Sequence, residues 1–200
     1  MNEQIMKELP KELFEIPDYV PNRSQAILDY IPNTKQVGIE IGSYHGINAH
    51  FLLKERTSLH LFMVDNWKPY DKDSLYIKND ILGFHSEEEW GTIHDIAKGN
   101  TEFANSRRIM LLLSSEEASK HFSDKSLDFV FIDAGHTYID TVNDIECWLP
   151  KVKVGGFISG HDYEFDCEKW KVKEAVNDCL VVKRGLQITL GKDYTWFCKL

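Results

Sequence analysis

The sequence lacks long apolar runs. None of its apolar stretches approaches the roughly 20 residues that a helix needs to cross a bilayer. The first residues, MNEQIMKELPKELFEI, carry charges where a signal peptide would carry an apolar stretch. We therefore expect a cytoplasmic protein with no membrane contact.

Positive charge is also in short supply. The chain has 23 Lys and Arg residues against 32 Asp and Glu residues, which gives a formal net charge of −9 at pH 7. Its basic doublets, Arg107-Arg108 and Lys183-Arg184, are isolated. Proteins that hold nucleic acid by its phosphates present clustered basic residues. The composition therefore argues against a nucleic-acid partner.

Cysteine is scarce and irregularly spaced. Cys147, Cys167, Cys179 and Cys198 form no CxxC pair and show no spacing typical of a zinc site. Reduced thiols are the usual state of cysteine in a cytosolic protein. We expect no disulfide in this chain.

The composition is that of one compact domain. Hydrophobic residues make up 42% of the 200 residues and charged residues 28%, which is the balance of a soluble globular protein. A chain of this length buries enough surface to fold around one core without a disulfide or a metal. We therefore predict that residues 1–200 form a single domain.

Short apolar stretches alternate with longer mixed stretches from residue 37 onward, a pattern typical of strand–helix–strand units and a parallel sheet. The predicted strands cover residues 36–41, 59–65, 108–113, 127–133, 155–160, 186–190 and 194–199. The predicted helices in this region cover residues 48–56, 115–122, 141–149 and 171–180. The fold class is therefore α/β, with a doubly wound, mostly parallel sheet. Only Gly191, Lys192 and Asp193 separate the last two strands, so these strands must form an antiparallel hairpin.

Two regions depart from this alternation. Residues 1–35 contain four prolines and predict an irregular, partly helical N-terminal arm. Residues 66–107 are polar and much longer than the usual connection between two elements. We expect this polar insert to be partly helical and to lie over the active face as a lid.

The strongest local motif is VGIEIGSYHG at residues 37–46, where a predicted strand runs through two glycines into a helix. Gly42 and Gly46 would let the backbone approach a ligand at the carboxyl edge of the sheet. A nicotinamide-binding turn would match GxGxxG and face a pyrophosphate, which Glu40 would repel. Glu40 instead favours a cationic ligand, such as the ammonium and sulfonium groups of S-adenosylmethionine. Glu40, Gly42, Ser43 and Gly46 are therefore candidate cofactor-binding residues.

Polar residues suited to an adenosine group follow the second and third strands. Asp65 comes about 20 residues after the glycine turn, where an acidic residue is placed to accept the ribose hydroxyls. Asn66 and Trp67 come next, and the indole would either flank the adenine or belong to the core. Ser114 and Ser115 would either bond the adenine edge or cap the next helix.

Polar residues also follow the fourth and fifth strands. Asp133 ends the fourth predicted strand and Ala134 follows it, with His136 close behind, and His161 and Asp162 come after the fifth strand. Because the carboxyl ends of parallel strands share one edge of a sheet, we expect these side chains to converge. Asp133 and Ala134 are candidates for contact with the cofactor. His136, His161 and Asp162 are the candidate catalytic residues.

The ordered set EIGSYHG, MVDNW, FVFIDAGHTYIDTVNDIECWLPKVKVGGFISGHDY and WKVKEAV resembles the class I S-adenosylmethionine-dependent methyltransferases, in particular the small sugar and natural-product O-methyltransferases and cephalosporin-hydroxylase-like proteins. The resemblance covers about residues 36–180. It implies a seven-stranded Rossmann-like sheet with its last strand inserted antiparallel, and S-adenosylmethionine as methyl donor. Some relatives bind Mg²⁺ through acidic residues that correspond here to Asp133 and Asp162. Those relatives usually carry a second acidic or amide residue where this chain has Tyr163.

The resemblance implies methyl transfer to a hydroxyl of a small molecule, and two mechanisms stay open at this point. His136 or His161 would take the acceptor proton, while Asp133 and Asp162 would either orient the imidazoles or hold Mg²⁺. Two other functions are compatible with the fold: a nicotinamide-dependent oxidoreductase and a cofactor-binding protein without turnover. A homodimer is the commonest assembly for such a chain.

Overall fold

The structure, a computed structural model, describes residues 16–70, 85–165 and 170–200. The strands in this part of the chain are β1 (Gln36–Ile41), β2 (Leu59–Asp65), β3 (Arg108–Leu112), β4 (Leu127–Ile132), β5 (Val152–Gly160), β6 (Ile188–Leu190) and β7 (Trp196–Lys199). The α-helices are α1 (Asn22–Leu28), α2 (Ile47–Glu55), α3 (Glu87–Asn100), α4 (Ser115–Ser119), α5 (Tyr138–Trp148) and α6 (Val172–Val176). Two short 3₁₀ turns, Glu102–Ala104 and Leu149–Lys151, and a π-helical segment, Asn177–Val182, are also present.

The strands form one seven-stranded sheet in the order β3-β2-β1-β4-β5-β7-β6. β1 pairs in parallel with β2 and β4, so that Glu40 lies opposite Met63 on one side and Phe131 on the other. β3 and β5 extend the parallel part outward. The strand order reverses between β1 and β4, and ligands of open α/β sheets bind beyond the carboxyl ends of the strands at such a point.

The two C-terminal strands run against the rest of the sheet. β7 pairs antiparallel with both β5 and β6 and lies between them. The predicted fold, a mostly parallel seven-stranded sheet with an antiparallel C-terminal hairpin, is therefore confirmed. β5 begins at Val152, earlier than predicted, because the chain stays paired and extended on both sides of Gly155, which has a φ of 83°.

Side chains along the strands alternate between two cores. In β4, Phe129 and Phe131 face one core, while Val130 and Ile132 face the other. Residues of α1, α2 and α3 cover the first core, and residues of α4, α5 and α6 cover the second. Burial on both faces explains why these strands are continuous apolar runs, as a parallel sheet requires. The strand ends are consequently where polar side chains can gather.

The N-terminal arm contributes a helix to the first core. Ala26, Ile27 and Leu28 of α1 are buried, and α1 packs against α2. Arg56 fixes the end of the arm, since its Nε donates to Ile31 O (2.8 Å) and its Nη2 donates to Leu28 O (2.6 Å). The described part of the arm therefore packs on the first core, beside α2.

The polar insert contains α3. A capping box starts this helix: Ser86 Oγ accepts from Glu89 N (3.3 Å), and Glu89 Oε2 accepts from Ser86 N (2.7 Å). Trp90, Ile93 and Ala97 bury one face of α3 in the first core. Helix α3 of the insert therefore covers the sheet. Residues 71–84 lie outside the described residues, so a lid over the active face stays a prediction.

Within the described residues, no helix has the length and apolar character needed to span a bilayer. Cys147, Cys179 and Cys198 are free thiols. Cys167 lies outside the described residues.

Candidate active site

Two cavities open beyond the carboxyl ends of the parallel strands. The larger cavity has a volume of about 530 Å³ and the smaller cavity about 320 Å³. Arg23, Gly42, Tyr44 and Asp133 line both, so the cavities meet where β1 and β4 end. The crevice expected at the reversal of strand order is therefore present.

Most of the predicted site residues lie on these walls. The larger cavity is lined by Asp65, Asn66, Ser115, Ala134, His136, His161 and Asp162, and the smaller cavity by Glu40 and Ser43. Gly46, Trp67 and Ser114 line neither cavity. The structure thus brings the ends of all five parallel strands to one crevice and separates these three residues from it.

Gly42 follows β1 with a φ of 85°, in the left-handed region that favours glycine. A Cβ atom there would overlap the carbonyl oxygen of Asp133. From the sequence we expected Gly42 to let a ligand approach the backbone. The structure adds that the ends of two strands already approach each other at this point. Gly46 has a φ of 70°, precedes α2 and lies beside Met63 and Ala97. Its role in the structure is packing rather than lining the site.

Glu40 is a buried carboxyl at the end of β1. It is 2% exposed, and its Oε1 accepts a hydrogen bond from Asn48 Nδ2 (2.8 Å). Its Oε2 has no hydrogen-bond partner among the described residues. Burial raises the pKa of Glu40 to about 7, although the hydrogen bond from Asn48 opposes this rise. A cation in the smaller cavity would be attracted to this carboxyl and would favour its ionised form.

Asp65 is held by backbone N–H groups from two loops. Its Oδ2 accepts from Tyr44 N (3.0 Å), and its Oδ1 accepts from Trp67 N (3.0 Å). Burial raises the pKa of Asp65, and these hydrogen bonds oppose the rise. Tyr44 and Trp67 have φ values of 44° and 42°, a conformation that non-glycine residues seldom adopt. The strained backbone on both sides fixes the direction of the carboxylate at the cavity wall.

Trp67 belongs to the core and not to the cavity wall. It is 5% exposed, its Nε1 donates to Tyr44 O (3.0 Å), and its ring meets that of His94 edge-on. Of the two alternatives that the sequence left open, the structure supports the core residue. The indole ties the loop after β2 to the loop after β1.

The two serines after β3 have different roles. Ser114 caps α4, because its Oγ accepts from Glu117 N (3.3 Å). Ser115 reaches the larger cavity, and its Oγ donates to Asp144 and accepts from Trp148 Nε1 (2.9 Å). Burial raises the pKa of Asp144 to about 7. The position of Ser115 at the wall is therefore set by buried side chains of α5.

Asp162 joins the two candidate catalytic histidines. Its Oδ2 lies 3.0 Å from His136 Nε2, and its Oδ1 lies 2.8 Å from His161 Nδ1. Burial alone would raise the pKa of Asp162, but hydrogen bonds from both imidazoles hold it well below its usual range. The backbone of Asp162 has a φ of 61°, a further case of strain at the site.

Charged residues from both ends of the described chain complete this cluster. Arg23 of α1 forms an ion pair with Asp133, and its Nε lies 3.7 Å from Asp193 Oδ2. Asp193, in the turn before β7, lies 3.6 Å from His161 Nε2, and Asp133 Oδ1 lies 3.8 Å from His161 Nδ1. Sequence reasoning missed Arg23 and Asp193, because no local pattern marks either as a site residue.

Aromatic side chains form much of the wall near the histidines. Trp170 stacks on His136 with ring centroids 3.9 Å apart and planes 14° apart, and Phe165 packs on Trp170 at 4.8 Å. Tyr70 and Trp90 also line the larger cavity. An apolar wall with a few converging polar groups is typical of a site for a small organic ligand. The sequence feature that could have indicated this wall is the concentration of aromatic residues outside the predicted strands.

Comparison with known families gives a match over most of the chain. The model of a methyltransferase domain family matches residues 39–163. Among curated proteins, the chain is similar to "Uncharacterized protein y4gI" of Sinorhizobium fredii, with 25% identity over 130 residues. That match covers 63% of this chain but spans only 13% of the length of the relative.

Solved structures share the fold at low sequence identity. An O-methyltransferase from Bacillus cereus in complex with SAH is 16% identical, with a TM-score of 0.58, and the match covers 99% of this chain and 90% of that one. A SAM-dependent methyltransferase from Aquifex aeolicus is 14% identical, with a TM-score of 0.55 and coverage of 99% and 97%. At such identities the likeness concerns the fold.

Proposed function

This chain belongs to the methyltransferase domain family, and from that premise we propose that it transfers the methyl group of S-adenosylmethionine to a hydroxyl of a small sugar or natural-product acceptor. The family favours methyl transfer over nicotinamide chemistry. The observation that carries the proposal is a paired carboxylate and imidazole, Asp162 and His161, on the wall of the same cavity as Asp65. This pair supplies a candidate base in the crevice, and transfer of a methyl group to a hydroxyl needs a base to take the acceptor proton.

The proposed path of the cofactor follows the two cavities. Asp65 would accept the ribose hydroxyls in the larger cavity, with the adenine near Ser115. The methionine end would cross Gly42 into the smaller cavity, where Glu40 attracts its ammonium group. The sulfonium would then lie near Asp133, where the two cavities meet. His136 and His161 line the larger cavity beside this junction. This path uses the acidic residues of the crevice to attract a ligand with positive charge.

His161 is the proposed general base. With Nδ1–H donated to Asp162, the other ring nitrogen, Nε2, carries the lone pair. His161 Nε2 has no hydrogen-bond partner among the described residues, and Asp193 Oδ2 is 3.6 Å away. This nitrogen would take the proton of the acceptor hydroxyl. His136, bound to the other oxygen of Asp162 and stacked on Trp170, would position that carboxylate.

The transfer itself is an in-line displacement. The acceptor oxygen forms a bond to the methyl carbon as the carbon–sulfur bond breaks, and the electron pair of that bond stays on sulfur. The acceptor proton moves to His161. The protein contributes mainly by holding the oxygen, carbon and sulfur in line at near-attack distance, and general base catalysis adds about 10²- to 10⁴-fold.

A magnesium ion at Asp133 and Asp162 fits this arrangement poorly. Asp133, His136 and Asp162 each offer a ligand atom within 4.8 Å of the others, but Mg²⁺ prefers six oxygen ligands. Asp133 is already paired with Arg23, and each oxygen of Asp162 faces an imidazole nitrogen. We therefore propose transfer without a metal and derive no step through one.

Two measurements test this function. Calorimetric titrations with S-adenosylmethionine and NAD should give binding of the first and none of the second. Transfer of labelled methyl to a panel of sugars and phenols should then give turnover that EDTA leaves unchanged. Binding of NAD alone would contradict methyl transfer. Loss of turnover in EDTA with recovery in Mg²⁺ would contradict the metal-free mechanism.

A further inference from the structure

Arg23 lies where the larger and smaller cavities meet. It is the only lysine or arginine among the described residues that line either cavity. It reaches this junction from α1, which lies outside residues 39–163 of the family match. Among the described residues, one arginine therefore enters this acidic crevice from a helix that precedes the matched segment.

The surroundings of Arg23 keep it charged and oriented. Burial lowers its pKa, but the nearby carboxylates of Asp133, Asp162, Asp193 and Glu40 more than offset this, so the net pKa is raised. Its Nη1 meets Asp133 and its Nε faces Asp193. A guanidinium has five N–H donors in a planar fork. These described ion pairs leave its Nη2 group for another anion.

We infer that Arg23 binds the α-carboxylate at the methionine end of the cofactor, an inference that rests on the proposed function. With ribose at Asp65 and ammonium near Glu40, the chain between them must pass the junction that Arg23 lines. The ligand carries its own charge compensation, because its ammonium would offset the negative charge of Glu40 while Arg23 keeps its ion pair with Asp133 through Nη1. A carboxylate placed in this crevice without a cation would pay a large desolvation cost.

The first backbone N–H groups of α2 offer a competing site for that carboxylate. Ile47 and Asn48, at the start of this helix, also line the smaller cavity, and helix N-termini attract anions. The two sites differ in their response to substitution, since only one depends on a side chain. An experiment that removes the guanidinium therefore separates them.

The experiment compares two ligands and two variants by calorimetry on the full chain. The ligands are S-adenosylhomocysteine and its decarboxylated analogue, which keeps the ammonium group. The variants are Arg23→Gln and, as matched control, Arg184→Gln, which removes a partly buried arginine that is paired with Glu146 and lines neither cavity. The readout is the ratio of the two dissociation constants, which cancels general effects of a substitution on the crevice.

We expect wild-type protein and Arg184→Gln to prefer the carboxylated ligand by about tenfold or more, the size of a charged hydrogen bond. In Arg23→Gln this preference should nearly vanish, and Arg23→Lys should restore part of it. An unchanged preference in Arg23→Gln would overturn the inference in favour of the start of α2. No preference in the wild type would overturn it as well. Failure of the wild type to bind either ligand would instead overturn the proposed function, and this inference with it.

Discussion

The two acidic centres of the crevice are built in different ways. Asp65 is held by backbone N–H groups of Tyr44 and Trp67, in loops that adjoin β1 and β2. Asp162 is held by the side chains of His136 and His161, from the ends of β4 and β5. Backbone donors are fixed as soon as the loops fold, so the Asp65 region is suited to binding. Titratable donors can exchange protons, so the Asp162 region is suited to chemistry.

The largest expected effect comes from a change that disrupts both regions. Gly42→Ala should lower the free energy of unfolding by about 3–5 kcal/mol, because its Cβ would overlap the Asp133 carbonyl and its φ is positive. Urea denaturation measures this. The control is Gly91→Ala in α3, where a Cβ meets nothing within 4 Å. This substitution should raise the free energy of unfolding by about 0.5–1 kcal/mol. Equal stability of the two variants would contradict the close approach of the strand ends.

A change in the Asp162 region should affect turnover alone. His161→Ala should lower kcat by about 10²- to 10⁴-fold, while the affinity for S-adenosylhomocysteine stays near the wild-type value. Steady-state kinetics with labelled cofactor and calorimetry measure the two quantities. The matched control is His60→Ala, an exposed histidine at the opposite end of β2. A kcat that survives in His161→Ala but falls in His136→Ala would transfer the role of base to His136.

A change in the Asp65 region should affect binding alone. Asp65→Asn should weaken binding of S-adenosylhomocysteine about 5- to 30-fold, through the loss of about 1–2 kcal/mol of hydrogen bonding to ribose. Asn is preferable to Ala because its carbonyl can still accept one of the two backbone bonds that hold the strained loops. Asp95→Asn, an exposed aspartate of α3, is the control. If calorimetry gives the same affinity for both variants, Asp65 has no ribose role.

The smallest expected effect is a pH dependence of binding at Glu40. Its pKa of about 7 in the free protein should fall when an ammonium group binds, so binding releases a proton and affinity rises with pH. We expect a gain of about three- to tenfold from roughly pH 5.5 to pH 7.5, below the pH near 8 at which an α-amino group loses its proton. Calorimetry at several pH values measures this gain.

Two substitutions sharpen that measurement. Glu40→Gln should flatten the pH profile of binding. Asp144→Asn removes the other described carboxyl with a pKa of about 7 and should leave that profile unchanged. A profile that persists in Glu40→Gln would assign the titration to another group and remove the proposed role of Glu40 at the ammonium.

The contrast between the two regions also explains what could be predicted from the sequence. The fold, and the gathering of Asp65, Asp133 and Asp162 at one edge, follow from apolar strands that end in acidic residues. Each of these assignments needs only a strand and its own end. Trp67 could not be assigned, because a tryptophan after a strand is equally compatible with the core and the cavity. Its burial and its hydrogen bond to Tyr44 O in the structure decide for the core.

Residues that reach the crevice from distant segments escaped prediction. Arg23 arrives on a helix of the N-terminal arm, and Asp193 on the turn of the C-terminal hairpin. Their positions depend on how α1 packs on α2 and how β7 inserts beside β5, which are properties of the folded molecule. Patterns within a single sequence do not indicate such contacts between distant segments.

The placement of β7 between β5 and β6 affects how the chain folds. Until Trp196–Lys199 pair with it, β5 is an edge strand whose N–H and C=O groups from Phe157 to Gly160 have no partner on that side. Uncovered apolar edges of this kind pair readily with other chains. A folding intermediate in which β7 has not yet paired with β5 is therefore the form that we expect to be most prone to aggregation.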